Sequence, residues 1–116
     1  KIKRRADTAA NERFYHSHLA ILLAANGFML EGESSSGLGN ADIVILNENF
    51  TLVCEIKYTA DISKAKTKVE EALMQIKEKQ YYAKYTLGKN NRVILLGLVF
   101  AAGGKKVKCK LEEILF

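Results

Sequence analysis

The stretch after Arg92 constrains this chain most. It reads Val-Ile-Leu-Leu-Gly-Leu-Val-Phe, with no polar side chain as far as Phe100. A half-exposed strand alternates apolar and polar residues, whereas an unbroken apolar strand is covered on both faces. Two layers of cover are therefore needed, and the chain offers two helical segments. The first runs from about Thr8 to Ala25, with Tyr15, Leu19, Leu22 and Leu23 at i, i+4, i+7 and i+8, and Gly27 stops it. The second runs from about Lys64 to Lys84. Its apolar stripe is Val69, Leu73, Ile76 and Ala83, with Ala72 and Gln80 at the margins, and Gly88 with Asn90-Asn91 closes it.

Strands fill the space between. Phe28 to Glu33 reads as a short strand, and Ser34 to Asn40 as a flexible turn. Strands follow at about 41–47 and 50–58, joined by a tight turn at Asn47-Glu48-Asn49. Thr59 to Ser63 connects them to the long helix, Ala101-Ala102-Gly103-Gly104 turns the chain, and Lys105 to Leu111 is a last, alternating, peripheral strand. The path from the third strand through the long helix to the apolar strand is long enough for a parallel crossover. The expected fold is α/β, a mixed sheet between two helices, in one domain spanning residues 1–116.

Composition narrows the class. Apolar residues make up 48% and charged residues 27%, which is globular usage. No run approaches the roughly 18 apolar residues of a membrane span; Leu19 to Ala25 is too short. The chain starts at Lys1, and no signal pattern precedes the first helix, so we expect a cytoplasmic domain of a longer protein. Cys54 and Cys109 read as buried free thiols, without disulfide or zinc spacing. The net charge of +5 and pI of about 9.2 favour a polyanionic partner. Lys1, Lys3, Arg4 and Arg5 supply part of the excess, and Lys105, Lys106, Lys108 and Lys110 another part. The same lysines would equally suit a solvated terminus and a protected edge strand.

Chemistry concentrates at one end of the expected hairpin. Asp42 opens one apolar run, and after twelve intervening residues Glu55-Ile56-Lys57 ends the next. Glu55 and Lys57 sit at i and i+2, on one face of a strand. If the runs pair, Asp42 returns to them. Two carboxylates and an ammonium then meet, the equipment for holding a divalent cation and activating water against a phosphodiester. Asp42 and Glu55 would hold Mg²⁺ or Mn²⁺, with the Ile56 carbonyl as an extra ligand. Lys57 would stabilise developing charge, or position or deprotonate the water. Glu12, on the first helix, and Glu33, at the end of the first strand, could each add a carboxylate to the site, but residue type alone favours a solvated or capping acid. Gln75 lies beside the apolar stripe of the long helix. Tyr81 and Tyr85, one helical turn apart, could contact a phosphate or a base, although core-edge packing explains them as well. His16 and His18 do not face each other on a helix and make a poor metal site.

These residues resemble the PD-(D/E)XK nuclease superfamily, and more narrowly the domain at the C-terminus of bacterial AAA-ATPase-like proteins. Four stretches carry the likeness: Asn-Glu-Arg-Phe-Tyr-His from Asn11, Glu-Gly-Glu-Ser-Ser-Ser-Gly-Leu-Gly-Asn-Ala-Asp up to Asp42, Cys-Glu-Ile-Lys at Cys54, and Ala-Leu-Met-Gln-Ile-Lys-Glu-Lys-Gln-Tyr up to Tyr81. The resemblance implies a restriction-endonuclease-like αβββαβ core and metal-dependent cleavage of nucleic acid, DNA in the first place. It makes Asp42 the first acid of the motif, Glu55 the second and Lys57 its lysine. Glu12 matches an acid often seen on the first helix, Gln75 a helix glutamine found in part of the superfamily, and Tyr81 a companion to it. Ala41 stands where the motif has Pro, and Asn40 where the narrower group often has a basic residue. An AAA-ATPase-like domain in the same protein is the implied partner. Two other readings stay open: a catalytically silent module that binds nucleic acid or a partner ATPase, and a small interaction domain that forms a homodimer.

Overall fold

Residues 2–31, 41–83 and 92–114 are described in the computed structural model, with residues 2–7 and 9 as backbone only. The elements are α1 (Ile2–Ala25), β1 (Met29–Leu30), β2 (Ile43–Leu46), β3 (Thr51–Thr59), α2 (Ala65–Lys79), β4 (Val93–Ala101) and β5 (Lys106–Ile114). Short 3₁₀ turns at Ile62–Lys64 and Ala102–Gly104 lead into α2 and β5. The strands form one mixed sheet in sequence order. Only the β3–β4 pair is parallel, and α2 makes the crossover between them.

The apolar run sits as its composition demands. Val93, Leu95, Val99 and Ala101 of β4 face α2 and are 0–1% exposed. Leu96, Leu98 and Phe100 face the other way, into the cluster beneath Tyr15, Leu19, Ala20 and Leu23 of α1. The helix meets the sheet along a narrow stripe, so Leu22, expected to share it, is 59% exposed. Gly97 explains the gap in the run. A Cβ there would lie 2.8 Å from the Val69 carbonyl oxygen and 3.2 Å from Leu73 Cγ. The backbone of α2 therefore rests directly on β4, beside Glu55, which is the Gly97 partner across the ladder.

Several boundaries differ from expectation. Helix α1 begins at Ile2 rather than near Thr8. Helix α2 ends at Lys79, not Lys84, because Gln80 turns left-handed at φ 53°, ψ 40°. That turn drops Tyr81 into the core with Val53, Leu73, Ile76, Val93 and Leu95. The left-handed residue costs about 1–2 kcal/mol; burying the ring offsets it. Ala83 consequently lies beyond the helix, and Ala72, expected at the margin, is fully buried. Strand β5 runs on to Ile114, an edge strand carrying Lys106, Lys108 and Lys110. Cys54 is buried as expected, but Cys109 is exposed, because its face of the edge strand lies beyond the stripe that α1 covers. Glu33, the Ser34–Asn40 turn, Tyr85, Gly88 and Asn90-Asn91 lie outside the described residues. Among the described residues no helix is long and apolar enough to cross a membrane.

Candidate active site

A mismatch in strand length creates the site. Strand β2 starts at Ile43, opposite Cys54, whereas β3 continues to Thr59. The stretch from Glu55 to Thr59 therefore has β4 on one side and no strand on the other. Buried backbone N–H groups require acceptors. Two carboxylates supply them here. Asp42, one residue ahead of β2, accepts the Ile56 N–H through Oδ2 at 2.8 Å. Glu12 accepts the Tyr58 N–H. Helix α1 is pinned for that task by Tyr15, three residues after Glu12. Its ring stacks on Phe100 at 4.3 Å between centroids and on Tyr58 at 5.9 Å. In an antiparallel ladder a residue's C=O and N–H point to the same side. The Ile56 carbonyl thus opens onto the edge that Asp42 occupies.

Glu55 and Lys57 share the face of β3 turned to α2, with Lys57 Nζ 3.9 Å from Glu55 Oε2. Lys57 also donates to Gln75 Oε1 at 2.5 Å. The other end of that amide donates to the Tyr81 hydroxyl at 3.2 Å. Gln75 therefore couples the lysine to the core. Tyr81 is itself 7% exposed, packed in the core with its hydroxyl toward Gln75.

The Glu55 side chain is only 7% exposed. Its Oε1 is buried without a hydrogen-bond partner, which no other described side-chain N or O shares. Burial foremost, then the Asp42 charge, lift its pKa to about 8, with Lys57 pulling the other way. A hydrogen bond with the Asp42 side chain adds to the rise. Glu12 is raised as well, chiefly by burial, with Lys57 opposing and Asp42 adding. Burial also pushes the Cys54 thiol up, which makes it a poor nucleophile.

Two crowded carboxylates, one with an orphan oxygen, fit a hard divalent cation. Among the described residues no three His, Cys, Asp or Glu side chains gather as a metal cage. Glu12, tied to Tyr58, stands aside. Asp42 and Glu55, helped by the Ile56 carbonyl, match the one or two carboxylates that Mg²⁺ accepts. His18 is engaged elsewhere, its Nδ1 3.1 Å from the Phe14 carbonyl oxygen.

Asp42, Glu55, Lys57, Gln75 and Glu12 thus converge from four elements. Sequence reasoning missed two participants. One is the Tyr58 N–H, invisible until the lengths of β2 and β3 are known. The other, more distant, is Lys68, which pairs with Glu71 at 3.3 Å and adds a minor charge effect at Glu12; its position two helical turns before Gln75 was the available signal. No curated protein and no solved structure matches the chain. A family model described as the PD-(D/E)XK nuclease superfamily matches residues 10–110, which takes in every residue of this constellation. The chain belongs to the PD-(D/E)XK nuclease superfamily.

Proposed function

We propose that this domain hydrolyses phosphodiester bonds in nucleic acid, DNA in the first place, with Mg²⁺ or Mn²⁺ held by Asp42 and Glu55. The supporting observation is the orphaned, buried Glu55 oxygen beside Asp42. Such a pair is costly when empty and is relieved by a cation. When bound, a divalent ion supplies Lewis acidity to phosphoryl oxygens and lowers the pKa of an attacking water. The chain's own groups do the rest. Asp42 is held by the Ile56 N–H with its second oxygen free of that bond. Lys57 donates to Gln75 and faces Glu55, company that suits an ammonium stabilising charge on the phosphate. Gln75 keeps that ammonium aimed. We further propose a cytoplasmic location, a homodimer, and, by resemblance, an AAA-ATPase-like domain as partner.

Single-stranded, duplex and supercoiled DNA, and RNA, should be incubated with Mg²⁺ or Mn²⁺ beside EDTA, Asp42→Ala and Lys57→Ala. Metal-dependent cutting that falls by about 10²-fold or more in both variants is expected. Cutting that survives EDTA or either substitution would sink the assignment. Binding without cutting by the folded protein would favour the silent module instead.

A further inference from the structure

The charges around α2 are distributed unevenly along its axis. Toward its carboxyl end, and on the second half of β5, cations are matched by acids. Lys77 pairs with Glu112 at 2.7 Å, Arg92 with Glu113 at 2.6 Å, and Lys110 with Glu70 at 2.9 Å. The groove that leads down α2 from Lys57 and Gln75 is lined by Glu70, Glu71 and Glu78. With Lys57 and Lys79 set against these three acids, the groove carries no excess of positive charge to draw a polyanion.

The amino end of α2 is different. Lys64 caps the helix, and Lys66 and Lys68 follow. The tip stands on β4, where Ala65 and Val69 pack against Val99 and Ala101. Helical spacing divides the lysines between two flanks. Lys68 lies two turns before Gln75, on the flank of the candidate site, and its charge is felt at Glu12. Lys66 lies one turn before Glu70, on the flank of β5, and its charge is felt there. Across the ladder, Lys57 aligns with Val99 and then Lys108, and Thr59 with Ala101 and then Lys106. Two strand spacings separate Lys57 from Lys108, about 10 Å between backbones. Among the described residues, Lys64, Lys66, Lys106 and Lys108 are exposed and make no ion pair with a carboxylate. Lys68 is matched by Glu71 at 3.3 Å, so the unneutralised cations run from Lys64 and Lys66 at the positive end of the helix to Lys106 and Lys108 on the edge strand.

We propose that the nucleic-acid backbone flanking the scissile phosphate bends around the amino end of α2, held by Lys64 and Lys66 and then by Lys106 and Lys108. This surface deepens the phosphodiesterase reading above and rests on it for the choice of polyanion. The track contacts phosphates and no base edges, so its affinity is insensitive to sequence and steeply dependent on salt.

The test is fluorescence anisotropy with labelled single-stranded DNA, duplex DNA and RNA of about 20 nucleotides, in EDTA, across 25–200 mM KCl (a range that spans the usual loss of phosphate contacts). Two double variants are compared, Lys64→Gln with Lys66→Gln, and Lys106→Gln with Lys108→Gln. Lys79→Gln, at the far end of α2, is the control, and thermal melts check folding. Each pair should weaken binding and reduce the salt slope by about 1.4–1.8, since each lysine accounts for about 0.7–0.9. The control should change neither. Wild-type affinity and slope in both folded pairs would overturn the proposal, as would an equal loss in Lys79→Gln. So would binding to phosphatidylserine vesicles in place of all three nucleic acids. Loss of binding in the pairs, with a wild type that never cuts, would uphold the track while removing the hydrolase reading. Cutting lost in Lys57→Ala but binding intact in both pairs would do the reverse.

Discussion

Replacing Glu55 by Gln should make the metal-free protein more stable at neutral pH and flatten its pH dependence. In the fold Glu55 titrates near 8, against 4.5 for an ordinary glutamate. Between those values the folded state holds a proton that the unfolded chain has released. Stability is therefore fully present below about pH 4.5, declines as pH rises, and levels off above about pH 8. Each pH unit inside the window is worth at most about 1.4 kcal/mol. From pH 5.5 to 7.5 this amounts to about 2–3 kcal/mol, or roughly 8–12 °C in Tm for a chain of this size. Glu12, raised in the same direction, adds to the decline. Asp61 and Glu70, lowered by hydrogen bonds with Ser63 and Lys110, act with the opposite sign and only in acid. Melts in EDTA from pH 5.5 to 8.5 isolate the effect. Wild type should lose Tm across the range, Glu55→Gln should lose much less, and saturating Mg²⁺ should restore wild type by favouring the ionised pair. Parallel curves for the two proteins would refute the account of the buried, crowded carboxyl.

Gly97→Ala should cost about 1–3 kcal/mol in urea unfolding, because its Cβ would press on the Val69 carbonyl at 2.8 Å and lift α2 from β4. The same lift should draw Gln75 away from Lys57 and lower kcat. Tyr81→Phe removes only the hydroxyl that accepts from Gln75. It should change stability by no more than about 1–2 kcal/mol, yet lower kcat with KM unchanged, as steady-state kinetics on a DNA substrate would show.

The sequence made the elements legible wherever a single period governs burial. The wholly apolar β4 announced a doubly covered strand, and the spacing of Val69, Leu73 and Ile76 announced the helix above it. Ends were harder to read. Nothing local says that Gln80 turns left-handed, because the reward is Tyr81 entering a core built from β3 and β4. Leu22 looked as apolar as Leu23, and only the angle at which α1 meets the sheet separates them. At the site, Asp42, Glu55 and Lys57 could be read from strand geometry, since i and i+2 share a face. Glu12 stood beside Glu33 as a spare acid until the resemblance singled it out. Its partner is a backbone N–H freed by the shortness of β2, and no pattern of side chains records that.

The turn at Asn47–Phe50 lies at the opposite end of the hairpin from this chemistry, yet it sets the spacing there. Asn47 N–H bonds to the Phe50 carbonyl at 3.0 Å, and the ladder counts back from Leu46 opposite Thr51 to Ile43 opposite Cys54. Asp42 is the next rung, and it meets Ile56 only because the count ends where it does. The hairpin behaves as a ruler whose zero mark is the loop. A residue gained or lost there would shift every rung and turn the pleat over, bringing a different side chain to the free edge. The placement of the acid pair is thus inherited from a loop remote from it, and the tightness of that loop is a property of the site.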